Sequence, residues 1–150
     1  MVHALRRAGT HLPGGTLLSI RPHPTWRPAV AIVAGRRLAV TQLVNPAFDR
    51  ALEAADSALE RVMAEGRFRL IGVRSARYRP YLDRPSQMRK YLELISPPRP
   101  RFPRGARARL TTMWAGAPAG ARIEVTESLV LNVLRRHIPE LQAGGLDPQD

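Results

Sequence analysis

An α/β fold is predicted by three features of this chain. A short apolar run, Thr16 to Ile20, follows Leu12-Pro13-Gly14-Gly15 as a buried strand follows a tight turn. Apolar residues at spacings of three and four mark a long helix between Pro46 and Glu65. Two further β-type segments, Phe68 to Tyr81 and Arg122 to Arg135, are separated by helical stretches. With 150 residues and 44% hydrophobic content, the chain has material for one globular domain with an ordinary core.

Val2 to His11 reads as the last turns of a helix. Pro13 presets φ for the second position of the following turn, and Gly14 accepts the positive φ of the third. The chain thereby enters a strand at Thr16 to Arg21. Pro22, Pro24 and Pro28 then forbid a helix and predict an extended loop carrying His23 and Trp26. Ala29 to Val33 and Arg37 to Val44, joined by Ala34-Gly35-Arg36, read as a hairpin. Asn45-Pro46 is a helix start, with a capping oxygen followed by a residue whose missing N–H costs nothing in the first turn. Phe48, Leu52, Ala55, Leu59, Val62 and Met63 form the apolar stripe of that helix, and Gly66 closes it. After the strand at Phe68 to Tyr81, Asp83 is placed to cap a second helix with Pro85 in its first turn and Met88, Tyr91, Leu92 and Ile95 on one face. The four prolines of 97–105 predict a solvated linker, and a third helix covers Ala106 to Ala115. Residues 1–142 form the expected domain and 143–150 a frayed tail.

No apolar run approaches the about 20 residues that span a bilayer, which predicts a soluble chain without membrane association or secretory signal. The absence of cysteine excludes disulfides, thiolate metal sites and a cysteine nucleophile, and agrees with a cytoplasmic location. His3, His11 and His137 are too scattered for a metal-ligand set. The net charge of +12 points toward polyanions, but Lys90 is the sole lysine and the arginines are spread along the chain rather than gathered on one helix.

The Leu12-Pro13-Gly14-Gly15 joint, with a helix before it and an apolar strand after it, resembles the junction preceding the fifth sheet strand of class I S-adenosylmethionine-dependent methyltransferases. The element order that follows is similar to the second half of that Rossmann-like fold. Thr16 to Arg21 would be strand five, Phe68 to Tyr81 strand six, and Arg122 to Arg135 an antiparallel strand seven inserted between them. The hairpin would be an insertion on the ligand side. The resemblance implies a C-terminal, substrate-side part of a methyltransferase acting on a small molecule, either truncated by its reading frame or completed by a second chain. It implies S-adenosylmethionine as the cofactor of the intact enzyme. The family's glycine-rich loop after strand one and its acidic end of strand two have no counterpart here, because Gly14-Gly15 precedes a strand instead of following one. No cofactor is therefore expected on this chain alone, and the edge of strand five is expected to be unpaired.

Ligands of open α/β sheets sit beyond the carboxyl ends of the strands, which singles out Arg21, His23 and Trp26 after strand five, and Tyr78 and Tyr81 after strand six, as substrate-binding candidates. His23 suits a general base near neutral pH and Trp26 a stacking platform; a solvated loop and half-buried packing are the plainer readings. No residue is assigned as catalytic. An alternative function is a nucleic-acid-binding module using the arginine-rich stretch 99–109. There Arg99, Arg101 and Arg104 would bridge phosphates and Phe102 would stack on a base; a basic linker is the plainer reading. A structural partner or degenerate remnant without activity is a third.

Overall fold

The fold was obtained as a computed structural model, which describes residues 1–12, 14–94 and 100–137. The expected tail 143–150 and the expected contribution of Arg99 lie outside these residues. The element order is α1 (Val2–His11), β1 (Thr16–Pro22), β2 (Ala29–Ala34), β3 (Arg36–Gln42), α2 (Pro46–Ala64), β4 (Phe68–Tyr78), β5 (Tyr81–Leu82), α3 (Gln87–Leu94), α4 (Ala106–Ala115) and β6 (Arg122–Arg136). Among the described residues, four helices thus accompany a six-stranded antiparallel open sheet.

β6 is the spine of that sheet. Its second half pairs with β1 on one flank, from Thr16↔Arg135 to Pro22↔Leu129, and with β4 on the other, from Phe68↔Arg136 to Tyr78↔Glu127. Both ladders are antiparallel, so β1 and β4 run parallel to each other with β6 between them. The first half of β6 continues the two ladders with β2, from Ala29↔Thr126 to Val33↔Arg122, and with β5. The hairpin of β2 and β3, turning at Gly35 with φ +69°, is therefore built into the sheet. β4 ends at Tyr78 and resumes as β5 because Pro80 lacks an N–H to donate to the ladder.

Alternation along β6 divides the core. Ile123 and Val125 face one side and pack with Val30, Ile32, Met88, Leu92 and Leu110, under α3 and α4. Leu134 faces the other side and packs with Leu59, Val62 and Phe68, under α1 and α2. β1 obeys the same rule. Leu17, in register with Leu134, joins the second core, whereas Leu18 and Ile20 on the opposite face remain exposed. Among the described residues, β1 pairs only with β6, which leaves its other edge open.

The turn before β1 has the geometry its sequence predicts. Gly14 takes φ +66°, and the Gly15 N–H donates to the Leu12 carbonyl at 3.1 Å. A Cβ on Gly15 would lie 3.1 Å from Leu12 Cβ, which explains the second glycine. Two caps differ from expectation. Asn45 stands before α2, but it is its carbonyl that accepts from Phe48 and Asp49, and its side chain makes no capping bond. Asp83 does not cap α3; instead Gln87 Oε1 reaches back to accept from the Asp83 and Arg84 N–H groups at 2.7 and 3.3 Å. A side chain in the first turn that reaches back to the N–H groups before the helix is the reciprocal half of a capping box. No helix among the described residues is long and apolar enough to cross a membrane.

Candidate functional site

The two ladders flanking β6 break at nearly the same level, and the candidate site lies there. Between the pairs Pro22↔Leu129 and Ala29↔Thr126, β6 advances through only Glu127 and Ser128 while its neighbour inserts the whole of residues 23–28. The inserted segment must leave the plane of the sheet, and its prolines prevent it from rejoining the ladder. The His23 N–H still donates to the Ser128 carbonyl at 3.0 Å, and the Pro28 carbonyl accepts from the Leu43 N–H at 2.8 Å, so both ends of the loop are tied. A pocket of about 100 Å³ opens between this loop, the start of α2 and β6, with apolar walls from Trp26, Leu43, Phe48 and Leu52 and polar groups from Asp49, Glu127 and Ser128.

His23 and Trp26 meet within the loop. Their rings stack at 4.1 Å with 8° between planes, and the Arg77 guanidinium lies 4.1 Å from the indole centroid. Two planar groups that close cannot share one face of the ring, so the indole is sandwiched and its stacking capacity is used inside the protein. His23 Nδ1 accepts from the Thr25 and Trp26 N–H groups at 3.3 and 3.2 Å. A neutral imidazole held this way carries its proton on Nε2, and a general-base role would require Nδ1 to give up both bonds.

The other expected residues are dispersed. Arg21, in register with Val130, points under the sheet to an ion pair with Asp56 of α2, away from His23 and Trp26. Its Nε and Nη1 are buried and have no hydrogen-bond partner among the described residues. Tyr78 and Tyr81 lie on the far flank of β6. Tyr78 is half exposed opposite Glu127, and its hydroxyl is pushed up by burial and by the Glu127 charge. The Tyr81 hydroxyl donates to Glu124 Oε2 at 3.2 Å, and Arg122 covers its ring.

Three residues that sequence reasoning did not select, Glu124, Glu127 and Tyr91, hold the site's most organised hydrogen bonds. Glu124 is 3% exposed in the middle of the sheet. Burial pushes its carboxyl up, but hydrogen bonds from Arg37 at 2.7 Å and from Thr126 and Tyr81, with the Arg37 charge, hold it below the usual carboxylate range. Glu127 goes the other way. Burial raises it, and the Tyr91 hydroxyl, donating to Oε1 at 2.8 Å, offsets only part of that. Glu127 therefore tends toward the neutral acid, while Tyr91 is driven far above its ordinary value by burial and by Glu127. Three residues apart on one strand, the two carboxylates face opposite sides of the sheet: Glu124 anchors the Arg37 guanidinium, and Glu127, which lines the pocket, is placed to exchange a proton with a ligand there. The sequence signal was the interruption of an apolar strand by Glu124 and Glu127, in a chain with only 12 acidic residues.

The arginine-rich stretch is only partly open. The Arg101 backbone pairs with Val44 through two hydrogen bonds, of 2.8 and 2.9 Å. Phe102 packs against the first core with Arg107 over its ring, which occupies the face a base would need. Arg104 is exposed. No group of three or more His, Cys, Asp or Glu residues among the described residues could hold a metal ion. Comparison with protein-family models, curated proteins and solved structures gives no match for this chain.

Proposed function

We propose that this chain is the substrate-side part of a Rossmann-like transferase domain. More narrowly, we read it as the C-terminal portion of a class I S-adenosylmethionine-dependent methyltransferase that acts on a small molecule. The observation that carries the reading is the placement of β6 between β1 and β4, antiparallel to both, with α1 and α2 packed on one face. This is the arrangement of strands five, seven and six with the two helices that precede and follow strand five. The open edge of β1 and its exposed Leu18 and Ile20 are surfaces that a completing half-sheet would cover.

S-adenosylmethionine does not fit the residues present. Among the described residues the two connections from strand to helix, 43–45 and 83–86, hold no glycine, so neither can bring its backbone close around a nucleotide. What this chain contributes is substrate placement. The pocket beside residues 23–28 excludes water with Trp26, Phe48 and Leu52 and presents Glu127 as a group able to take or give a proton, and holding a substrate in line supplies most of the assistance a displacement needs.

The test is calorimetric titration with S-adenosylmethionine of this chain and of the chain joined to the polypeptide encoded upstream or in the adjacent gene. The reading expects no saturable signal for the chain alone and one-to-one binding for the completed protein. Saturable binding by the chain alone at micromolar cofactor overturns it, as does the absence, upstream and in the neighbouring gene, of a glycine-rich loop after a β-type run followed by an acidic strand end.

A further inference from the structure

A second concavity adjoins the loop 23–28, where four arginines from three places in the sequence line one recess. It has a volume of about 450 Å³ and is lined by Arg27, Arg37, Arg77, Arg79, Thr126 and Ser128 among others. Two of the four cations are neutralised. Arg27 Nη1 donates to both carboxylate oxygens of Asp49 at 2.5 Å, and Arg37 to Glu124 at 2.7 Å. The side chains of Arg77 and Arg79 have no ion pair or hydrogen bond among the described residues, and the Arg77 guanidinium lies over the Trp26 ring. The concavity thus carries two uncompensated positive charges on one wall.

A second observation points the same way. Ser128, directly across from Arg77 in the β4–β6 register, is only 7% exposed, and its hydroxyl has no hydrogen-bond partner among the described residues. That hydroxyl is not sealed from solvent, so it stays open to a ligand oxygen in the recess it lines. Guanidinium groups match carboxylate and phosphate oxygens in pairs. We propose that this concavity is a binding site for the anionic group, carboxylate or phosphate, of a small-molecule ligand, with Arg79 and Arg77 as charge partners and Ser128 as a hydrogen-bond partner. Two unpaired cations in a recess suit one compact anion better than a polyanion backbone, which needs a longer stripe. The inference stands independently of the methyltransferase reading, and its test uses no cofactor.

Trp26 reports on the site directly, and in a Trp114→Phe background it is the chain's single tryptophan. Its fluorescence would be titrated with inorganic phosphate, phenyl phosphate and benzoate, and with a short oligothymidylate. A saturable one-site change with phenyl phosphate and inorganic phosphate identifies a phosphate ligand; one with benzoate identifies a carboxylate. Arg79→Gln is expected to weaken binding about tenfold and Ser128→Ala several-fold. Arg50→Gln, which removes the same charge from an exposed position on α2, should leave the affinity within about twofold. Since Arg79 is exposed, its replacement keeps the fold, and far-UV circular dichroism checks this. Absence of saturation with all three small anions, equal weakening by Arg50→Gln and Arg79→Gln, or binding confined to the oligonucleotide each overturns the proposal.

Discussion

Replacing Arg21 with methionine is expected to cost nothing or to stabilise the fold, whereas replacing its partner with Asp56→Asn destabilises it. The Arg21 side chain is 15% exposed and that of Asp56 32%, so the pair sits at the margin of the second core, beside Leu59, Met63 and Leu70. Two of the arginine's donor nitrogens are buried without partners among the described residues, and each such group costs about 1–3 kcal/mol in the native state. Methionine fills a similar volume, removes both donors and leaves Asp56 within reach of water. The two donors together cost about 2–6 kcal/mol and the partly exposed ion pair is worth about 1 kcal/mol, so the balance reaches at most about 5 kcal/mol of stabilisation. Asp56→Asn keeps the buried guanidinium and removes its countercharge, which costs about 2–3 kcal/mol after allowance for partial exposure. Urea unfolding at pH 7, followed by far-UV circular dichroism and compared at equal m-values, measures both changes. Destabilisation by Arg21→Met as large as that by Asp56→Asn would refute the reasoning, because it would mean that Nε and Nη1 are satisfied and that Arg21 is structurally required.

Two further outcomes are expected. Because burial raises the folded-state pKa of Glu127 above its unfolded value, the native state binds more protons than the unfolded one between those values, and stability falls as pH rises through that window. Glu127→Gln should remove that decline and gain most at neutral pH; urea midpoints measured from pH 4 to pH 7.5 with an unchanged slope would contradict the burial argument. Binding to nucleic acid should be weak and lost at physiological salt, since Phe102 is packed and only arginine charges remain to contact phosphates. Filter binding across salt concentrations checks this, and a complex that is tight at physiological salt and abolished by replacing Arg99, Arg101 and Arg104 together would promote the nucleic-acid reading.

Local chemistry made most of the elements legible. The helix α2 follows from its three-and-four spacing between Asn45-Pro46 and Gly66, and the turn at Gly14 from the demand for positive φ, because in each case the deciding interactions span only a few residues. The loop 23–28 was legible for the same reason, since three flanking and internal prolines forbid a ladder. The α3 cap was misplaced because the helix starts at Gln87, four residues beyond Asp83, and the Asp83 carboxylate pairs with Arg122 across the fold, a partner local sequence does not show.

What the sequence by itself determined was therefore the list of elements and the two residues, His23 and Trp26, that meet in one loop. Tertiary structure alone decided that β6 pairs with four other strands, from residues as distant as Thr16 and Arg135, and this register in turn decided the chemistry. It turned Arg21 toward Asp56 and away from the pocket, set Ser128 across from Arg77, and collected Arg27, Arg37, Arg77 and Arg79 around one recess. No local signal carries such information. In a strand, successive side chains alternate between faces, so a shift of one residue in pairing exchanges the two faces, and the register is selected by the burial of Leu17, Leu134, Ile123 and Val125 across the whole sheet.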